Sequence, residues 1–143
     1  MSIPEIDCKR AHELLQAGGG AVYLDVRTEE EFAAGHPTGA LNLPIAVPDQ
    51  RTGMMGLNPD FAKVAGAVLP KDATILCGCQ SGGRSLKAAM MLQSLGYANV
   101  SNVSGGFGGR PGAPGWSRLG LPVSRGPAAP GASYPELRKK AGL

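Results

Sequence analysis

Cysteine is scarce in this chain of 143 residues, which carries three: Cys8, Cys77 and Cys79. An odd number at irregular spacing builds no disulfide framework. The sequence therefore reads as a protein of a reducing compartment, the cytoplasm, with its thiols free for chemistry. Beside the Cys77-Gly78-Cys79 pair stand only Cys8, His12 and His36, without zinc-site spacing, so no metal site is expected. Aromatics make up 5%, which leaves Leu, Val, Ala and Met to fill the interior. No apolar run approaches the roughly 18 residues of a membrane span. The start, MSIPEIDCKRAHELL, is broken by charges and fits neither a signal peptide nor an Arg-rich transit peptide. Neither sign of charge dominates: the net value of +3 comes from interspersed acids and bases, which argues against a nucleic-acid surface and leaves a mild attraction for anions. Nucleotide binding also lacks its signal, because there is no GxxxxGK[ST] run and GGFGGR follows a strand without opening an apolar helix.

Glycine (22) and proline (12) are plentiful, and predict many tight connections in what the length bounds to one domain. Asp7 caps a helix over Cys8 to Ala17, and three glycines stop it. AVYLDV (21–26) reads as a strand, and Thr28 with Glu31 forms a capping box for a short helix ending near Gly35. ALNLPI (40–45) is a second strand, and Val47 to Leu57 a polar loop containing Met54 and Met55. Asn58 and Pro59, as N-cap and first-turn proline, open a helix to about Leu69. ATILCG (73–78) is the third strand, followed by a helix from Ser85 to Leu95, and NVSNVSG the last. This alternation predicts an α/β fold with a mainly parallel sheet and helices on both faces. Residues 126–143 read as a flexible Pro/Gly/Ala-rich tail in which Ser133 and Glu136 have the spacing to cap one short helix.

In such sheets ligands sit beyond the carboxyl ends of strands. Cys79 to Arg84 is a strand-to-helix turn of this kind. Gly82 and Gly83 let the backbone curl so that successive N–H groups point inward and form an anion-binding nest. The following helix contributes its positive dipole end, and Arg84 a full charge. These terms favour thiolate over thiol and place Cys79 below the free value of about 8.5. Gln80, Ser81 and the glycines give Cys79 no apolar surroundings, whereas Cys77 lies within the apolar strand and reads as a packing residue.

The run C-Q-S-G-G-R-S (79–85) resembles the active-site loop of single-domain rhodaneses, the thiosulfate sulfurtransferases, closest to the plant-type branch. YLDVRTEEEFAAGHPTGALNLP (23–44) is similar to that family's D-V-R…E-F…G-H…G-A…N-x-P signature, and NVSNVSGGF to its closing strand and turn. The resemblance covers about residues 5–123 and implies a rhodanese-like sheet of about five strands, with a domain at 1–125. It implies Cys79 as the catalytic nucleophile, which takes a sulfane sulfur from thiosulfate as a persulfide and passes it to cyanide, a thiol or a protein cysteine. Gln80, Ser81, Gly82, Gly83, Arg84 and Ser85 would form the substrate-binding loop, with no cofactor or metal required. Asp25, Arg27, Glu31 and His36 match family positions and read as structural, with Arg27 and Glu31 paired near the strand end.

Two features depart from the family pattern. Phe107 and Trp116 are nine residues apart where the family has three, so an insertion carrying Arg110 and Pro111 either borders the pocket or is a surface elaboration. Cys77 stands two residues before the nucleophile, where a resolving thiol is conceivable. The enzymatic rival, a cysteine phosphatase or arsenate reductase, uses a C-x5-R loop; here Cys79 and Arg84 enclose four residues. The rival of another class is a sulfur-relay or binding module fed by a protein persulfide.

Overall fold

The computed structural model describes residues 2–143. In chain order the elements of the first half are β1 (Glu5–Ile6), α1 (Cys8–Gln16), β2 (Val22–Asp25), α2 (Glu29–Ala34), β3 (His36–Pro37), β4 (Leu41–Asn42), β5 (Ala46–Pro48) and β6 (Met55–Leu57). They continue with α3 (Phe61–Val68), β7 (Ile75–Gly78), α4 (Gly83–Ser94), β8 (Val100–Val103), β9 (Gly109–Arg110), β10 (Ala113–Pro114), β11 (Val123–Ser124) and α5 (Tyr134–Lys140). The central sheet has five strands in the order β1-β8-β7-β2-β4, and every pairing in it is parallel. The edge strand β1 is the one the sequence pattern did not show, because Glu5-Ile6 is too short to carry a periodicity.

A parallel sheet buried on both faces needs strands that are apolar throughout, and β7 is buried at all four positions. Successive side chains of β2 and β7 then point to opposite layers. Leu24, Ile75 and Cys77 face α3, α4 and α5, packing with Phe61, Val64, Ala88, Leu92 and Leu137. Tyr23 and Leu76 face α1 and α2, packing with Cys8, Ala11, Phe32 and Trp116. Helices therefore cover both faces, as the alternation predicts.

From β2 the chain moves outward to β4, then returns past β2 to β7 on its other side. The strand order reverses between β2 and β7, which is where such sheets open a crevice at their carboxyl ends. Asp25 to Arg27 and Cys79 to Arg84 leave the sheet there.

Two local expectations are corrected. Asn58 is not the N-cap of α3, which starts later with Asp60 at the cap position. Its amide instead donates to the Pro44 carbonyl and to Tyr134 Oη, both at 2.9 Å, while its Oδ1 accepts from the Asp60 N–H in a local turn. A side chain tied to two other segments is drawn away from the helix end. The polar loop 47–57 contains the antiparallel pair β5–β6, which leaves Met54, Met55 and Leu57 exposed. In residues 126–143, Ser133 caps α5, and Tyr134 and Leu137 are buried against the α3 side of the sheet.

Candidate active site

The β7 strand ends at Gly78 beneath Tyr23: a Cβ at position 78 would collide with the tyrosine ring and hydroxyl. Cys79 is the next residue, 2% exposed. The backbone then turns sharply, with Gly82 at φ +108°. Glycine is required here twice over, because the left-handed region is costly for other residues and a Cβ would sit 2.7 Å from the Ser104 carbonyl oxygen. Gly83 is under neither constraint: its φ is negative and a Cβ would meet nothing within 4 Å. It is the first residue of α4, which begins two residues earlier than the sequence pattern suggests.

The loop's carbonyls are turned outward. Cys79 O accepts from the Phe107 N–H at 2.7 Å, and Gln80 O from the N–H groups of Gly108 and Gly109 at 2.9 and 3.3 Å. Its amide side is thereby left to the sulfur, and the Gly82 N–H donates to Cys79 Sγ at 3.1 Å. Burial pushes the Cys79 thiol up, but hydrogen bonds from the Ser85 hydroxyl and from the N–H groups of Ser85, Gly82 and Ser81 outweigh it and hold the thiol below its ordinary value. The other two cysteines go the opposite way. Burial pushes Cys77 far up, and raises Cys8 to about 11 with help from Asp7. Cys8 Sγ also lies 3.2 Å from the Gly106 carbonyl, as donor. Both are fully buried packing residues.

Arg84 lies on the first turn of α4, and both of its terminal nitrogens meet the Glu31 carboxylate, at 2.7 and 2.9 Å. The expected Arg27–Glu31 pair does not form. Arg27 folds back onto its own strand end, where Nε and Nη2 bind the Asp25 carboxylate at 2.7–3.2 Å. Nη2 also donates to the Gly35 carbonyl, and the guanidinium lies 4.6 Å from the Phe107 ring centroid. Glu31, fixed as the third residue of α2 by its capping box, is carried toward α4 instead. His36 is a packing residue: its Nδ1–H donates to the Phe32 carbonyl at 2.7 Å, and its ring stacks on Phe32 at 3.7 Å.

The insertion between Phe107 and Trp116 forms β9 and β10 and abuts the Cys79–Arg84 loop. Gly108, whose N–H binds Gln80 O, lies so close to the Gln80 amide that any side chain at 108 would displace it. A shallow cleft of about 420 Å³, lined by Gly108, Arg110, Pro111 and Arg118, opens on the hairpin. Asn102 was not singled out in the sequence. It is a buried polar residue of β8 that accepts from the Ser85 hydroxyl at 2.6 Å. A polar residue in the middle of an apolar strand, NVSNVSG, was the signal available for it.

Residues 7–109 match the family described as the Rhodanese-like domain. Thiosulfate sulfurtransferase 16, chloroplastic, of Arabidopsis thaliana is 41% identical over 113 residues, spanning 79% of this chain and 86% of that protein. A sulfurtransferase of Allochromatium vinosum is 31% identical over 121 residues, spanning 85% and 94%. The crystal structure of Rv0390 from M. tuberculosis superposes with a TM-score of 0.73 at 27% identity, over 88% of this chain and all of that one. The sheet order, the loop at its switch point and these matches agree: the chain belongs to the rhodanese-like sulfurtransferase family.

Proposed function

We propose that the protein is a thiosulfate sulfurtransferase that works through a persulfide on Cys79. The observation that carries this reading is the placement of Cys79 Sγ. Cys79 directly follows the central strand β7, is almost closed off from solvent, and its sulfur accepts an N–H from a loop whose Cys79 and Gln80 carbonyls are bonded away from it. Such a cradle stabilises negative charge first on Sγ and then on a sulfur attached to it.

In the first step the Cys79 thiolate attacks the outer sulfur of thiosulfate. A new Sγ–S bond forms, the S–S bond of the donor breaks, and its electron pair leaves with sulfite. In the second step an acceptor such as cyanide or a thiolate attacks the terminal sulfur, and the Cys79 thiolate departs as the leaving group. Each step exchanges one bond to the sulfane sulfur for another, with the electron pair passing from the attacking group to the leaving group, so no external oxidant or reductant enters. Gln80, Ser81, Gly82, Gly83 and Ser85 line the cradle in this reading, and Arg84 supplies positive charge already partly offset by Glu31. The donor named in the Arabidopsis relative, thiosulfate, is the donor proposed here.

The alternative is a relay module that receives sulfur from a protein persulfide. Three free thiols suit a reducing compartment, and we propose the cytoplasm, although the Arabidopsis relative is named as chloroplastic. No helix among the described residues is long and apolar enough to cross a membrane.

Intact mass after incubation with thiosulfate tests the reading. A gain of one sulfur, ~32 Da, lost in Cys79→Ser and reversed by cyanide, is the expected result for a covalent intermediate. A wild-type protein that takes up sulfur only from a protein persulfide would instead favour the relay.

A further inference from the structure

The Ser85 hydroxyl has one proton and three acceptors within reach: Asn102 Oδ1 at 2.6 Å, the Gly82 carbonyl at 3.3 Å and Cys79 Sγ at 3.4 Å. A hydroxyl donates once, so these contacts compete, and the shortest points away from the sulfur. The competitor is held in place from behind. Asn102 is in register with Glu5 of β1 on one side and Cys77 of β7 on the other. Its Nδ2 donates to both Glu5 carboxylate oxygens at 3.0 and 3.1 Å, and to the Gly82 carbonyl at 3.1 Å. All these partners only accept, so the amide cannot turn over, and its Oδ1 is committed to face Ser85.

We propose that Asn102 is a positioning residue that decides which acceptor the Ser85 hydroxyl serves: Asn102 while Sγ is uncharged, and Sγ while it is a thiolate. This rests on reading Cys79 as the group that ionises. With Sγ a thiol, the chain runs Cys79 S–H to Ser85 Oγ and Ser85 O–H to Asn102 Oδ1. On ionisation the hydroxyl rotates toward the sulfur and leaves Asn102 Oδ1 unpaired, which opposes thiolate formation. In the persulfide the charge sits on the terminal sulfur, so the hydroxyl returns to Asn102. Asn102 thus tempers the thiolate and favours the loaded form. The opposite expectation, that every hydrogen-bonded neighbour of the loop promotes ionisation, predicts the reverse sign.

The other groups around the sulfur are distributed over all the packed elements. They are Cys77 on β7, Tyr23 on β2, the Asp25–Arg27 pair at its end, and Arg84 on α4 with Glu31 of α2 against it. None of their side chains hydrogen-bonds to Ser85 or Asn102, Cys77 meeting Asn102 only as its register neighbour on β7, and the Glu5 carboxylate is bound to the Asn102 amide.

The test is the pH dependence of Cys79 alkylation by iodoacetamide, read on the Cys79 peptide by mass. One hydrogen bond of about 1 kcal/mol corresponds to a shift of about 0.7 pH unit. Asn102→Ala should lower the midpoint by about that much, and Ser85→Ala should raise it. In the Ser85→Ala chain, Asn102→Ala should add nothing. Asn102→Val, which suits a strand and lacks an acceptor, repeats the test if alanine leaves the protein unfolded. An unchanged or raised midpoint in the folded Asn102 variant, or an equal shift with and without Ser85, overturns the proposal. Sulfur uptake from thiosulfate, measured on the same proteins, reports the activity separately: a wild type that fails to load refutes that function while the midpoint comparison stands.

Discussion

Arg84 and Glu31 meet end to end, with both terminal nitrogens of the arginine on the two carboxylate oxygens at 2.7 and 2.9 Å. The pair joins the start of α4 to the start of α2 beside the Cys79–Arg84 loop, and it withholds part of the positive charge an anionic donor would meet there. Glu31→Gln keeps the capping box, since glutamine serves there too, while it releases the charge. It should lower the KM for thiosulfate by about two- to fivefold, the value of a partly exposed ion pair. Arg84→Met should raise it by at least as much. Steady-state kinetics at low salt would show this, and a KM unmoved by either change would remove Arg84 from donor capture.

The same pair makes a statement about acid. The hydrogen bonds from Arg84, only partly opposed by burial, lower the Glu31 carboxyl from 4.5 to about 2. A depressed carboxyl contributes stability above its unfolded value and loses it as pH falls through the folded one. The contribution is complete above about pH 5 and fades toward pH 2. Because both side chains are about one-third exposed, it is worth less than about 1 kcal/mol. Urea midpoints for wild type and Glu31→Gln should differ at pH 7 and converge on acidification. A gap that widens toward low pH would contradict the assignment.

Adjacent glycines in the loop should answer differently to the same change. Gly82→Ala forces a left-handed alanine against the Ser104 carbonyl, at a cost of about 1–3 kcal/mol. The loop must move to relieve it, so sulfur uptake should fall with stability. Gly83→Ala adds a methyl to open space on the first turn of a helix, and should stabilise by up to about 1 kcal/mol. Thermal melts and mass-detected loading of the two variants settle the contrast; equal damage from both would mean the loop needs backbone freedom at 83 that the turn does not reveal.

This contrast marks the limit of what the sequence disclosed. The strand-loop-helix pattern located Cys79, because apolar periodicity and glycine placement are local signals. The capping box at Thr28 and Glu31 and the Asp7 cap were legible for the same reason. Partner choice was not. Arg27 has Asp25, Glu29, Glu30 and Glu31 within four positions in sequence, and only the folded strand end shows that Asp25 takes it while Glu31 crosses to an arginine 53 positions away. The role of Asn102 is not local either: its partners are Glu5 of β1 and, on the start of α4, Gly82 and Ser85, two segments far apart in sequence. Edge strand β1 is likewise defined by its pairing with β8 rather than by its two residues.

Cys77 should prove dispensable for chemistry. Its thiol is fully buried and pushed far up by burial, which disfavours the thiolate that a nucleophile or resolving group needs. Cys77→Ala should keep the sulfur gain while costing about 1–2 kcal/mol for the cavity left behind. Loss of loading in a folded Cys77→Ala protein would restore a catalytic role for it.

Tyr23 carries a hydroxyl that is buried, unpaired and pressed over Gly78. A buried hydroxyl without a partner forfeits its hydration and gains nothing in return. Tyr23→Phe should therefore be neutral or stabilising by up to about 1 kcal/mol, unlike the usual change in a core. A substantial loss in urea midpoint would mean that the hydroxyl has a partner in solution.

The final helix supplies the last test, because it decides where the folded unit ends. Leu137 is fully buried among the residues of the α3–α4 layer. Tyr134 Oη accepts from Asn58, Ala132 O accepts from the Asn42 N–H, and Arg138 pairs with Asp60 at 2.9 Å. A helix tied in by side chain, main chain and charge is expected to melt with the sheet. Leu137→Ala should cost about 2–5 kcal/mol in a single transition followed by Trp116, the chain's one tryptophan, buried in the opposite layer. Deletion of 126–143 should lower the midpoint further. If the deletion left the Trp116 transition where it was, the tail would be an appendage and the domain would close at 125.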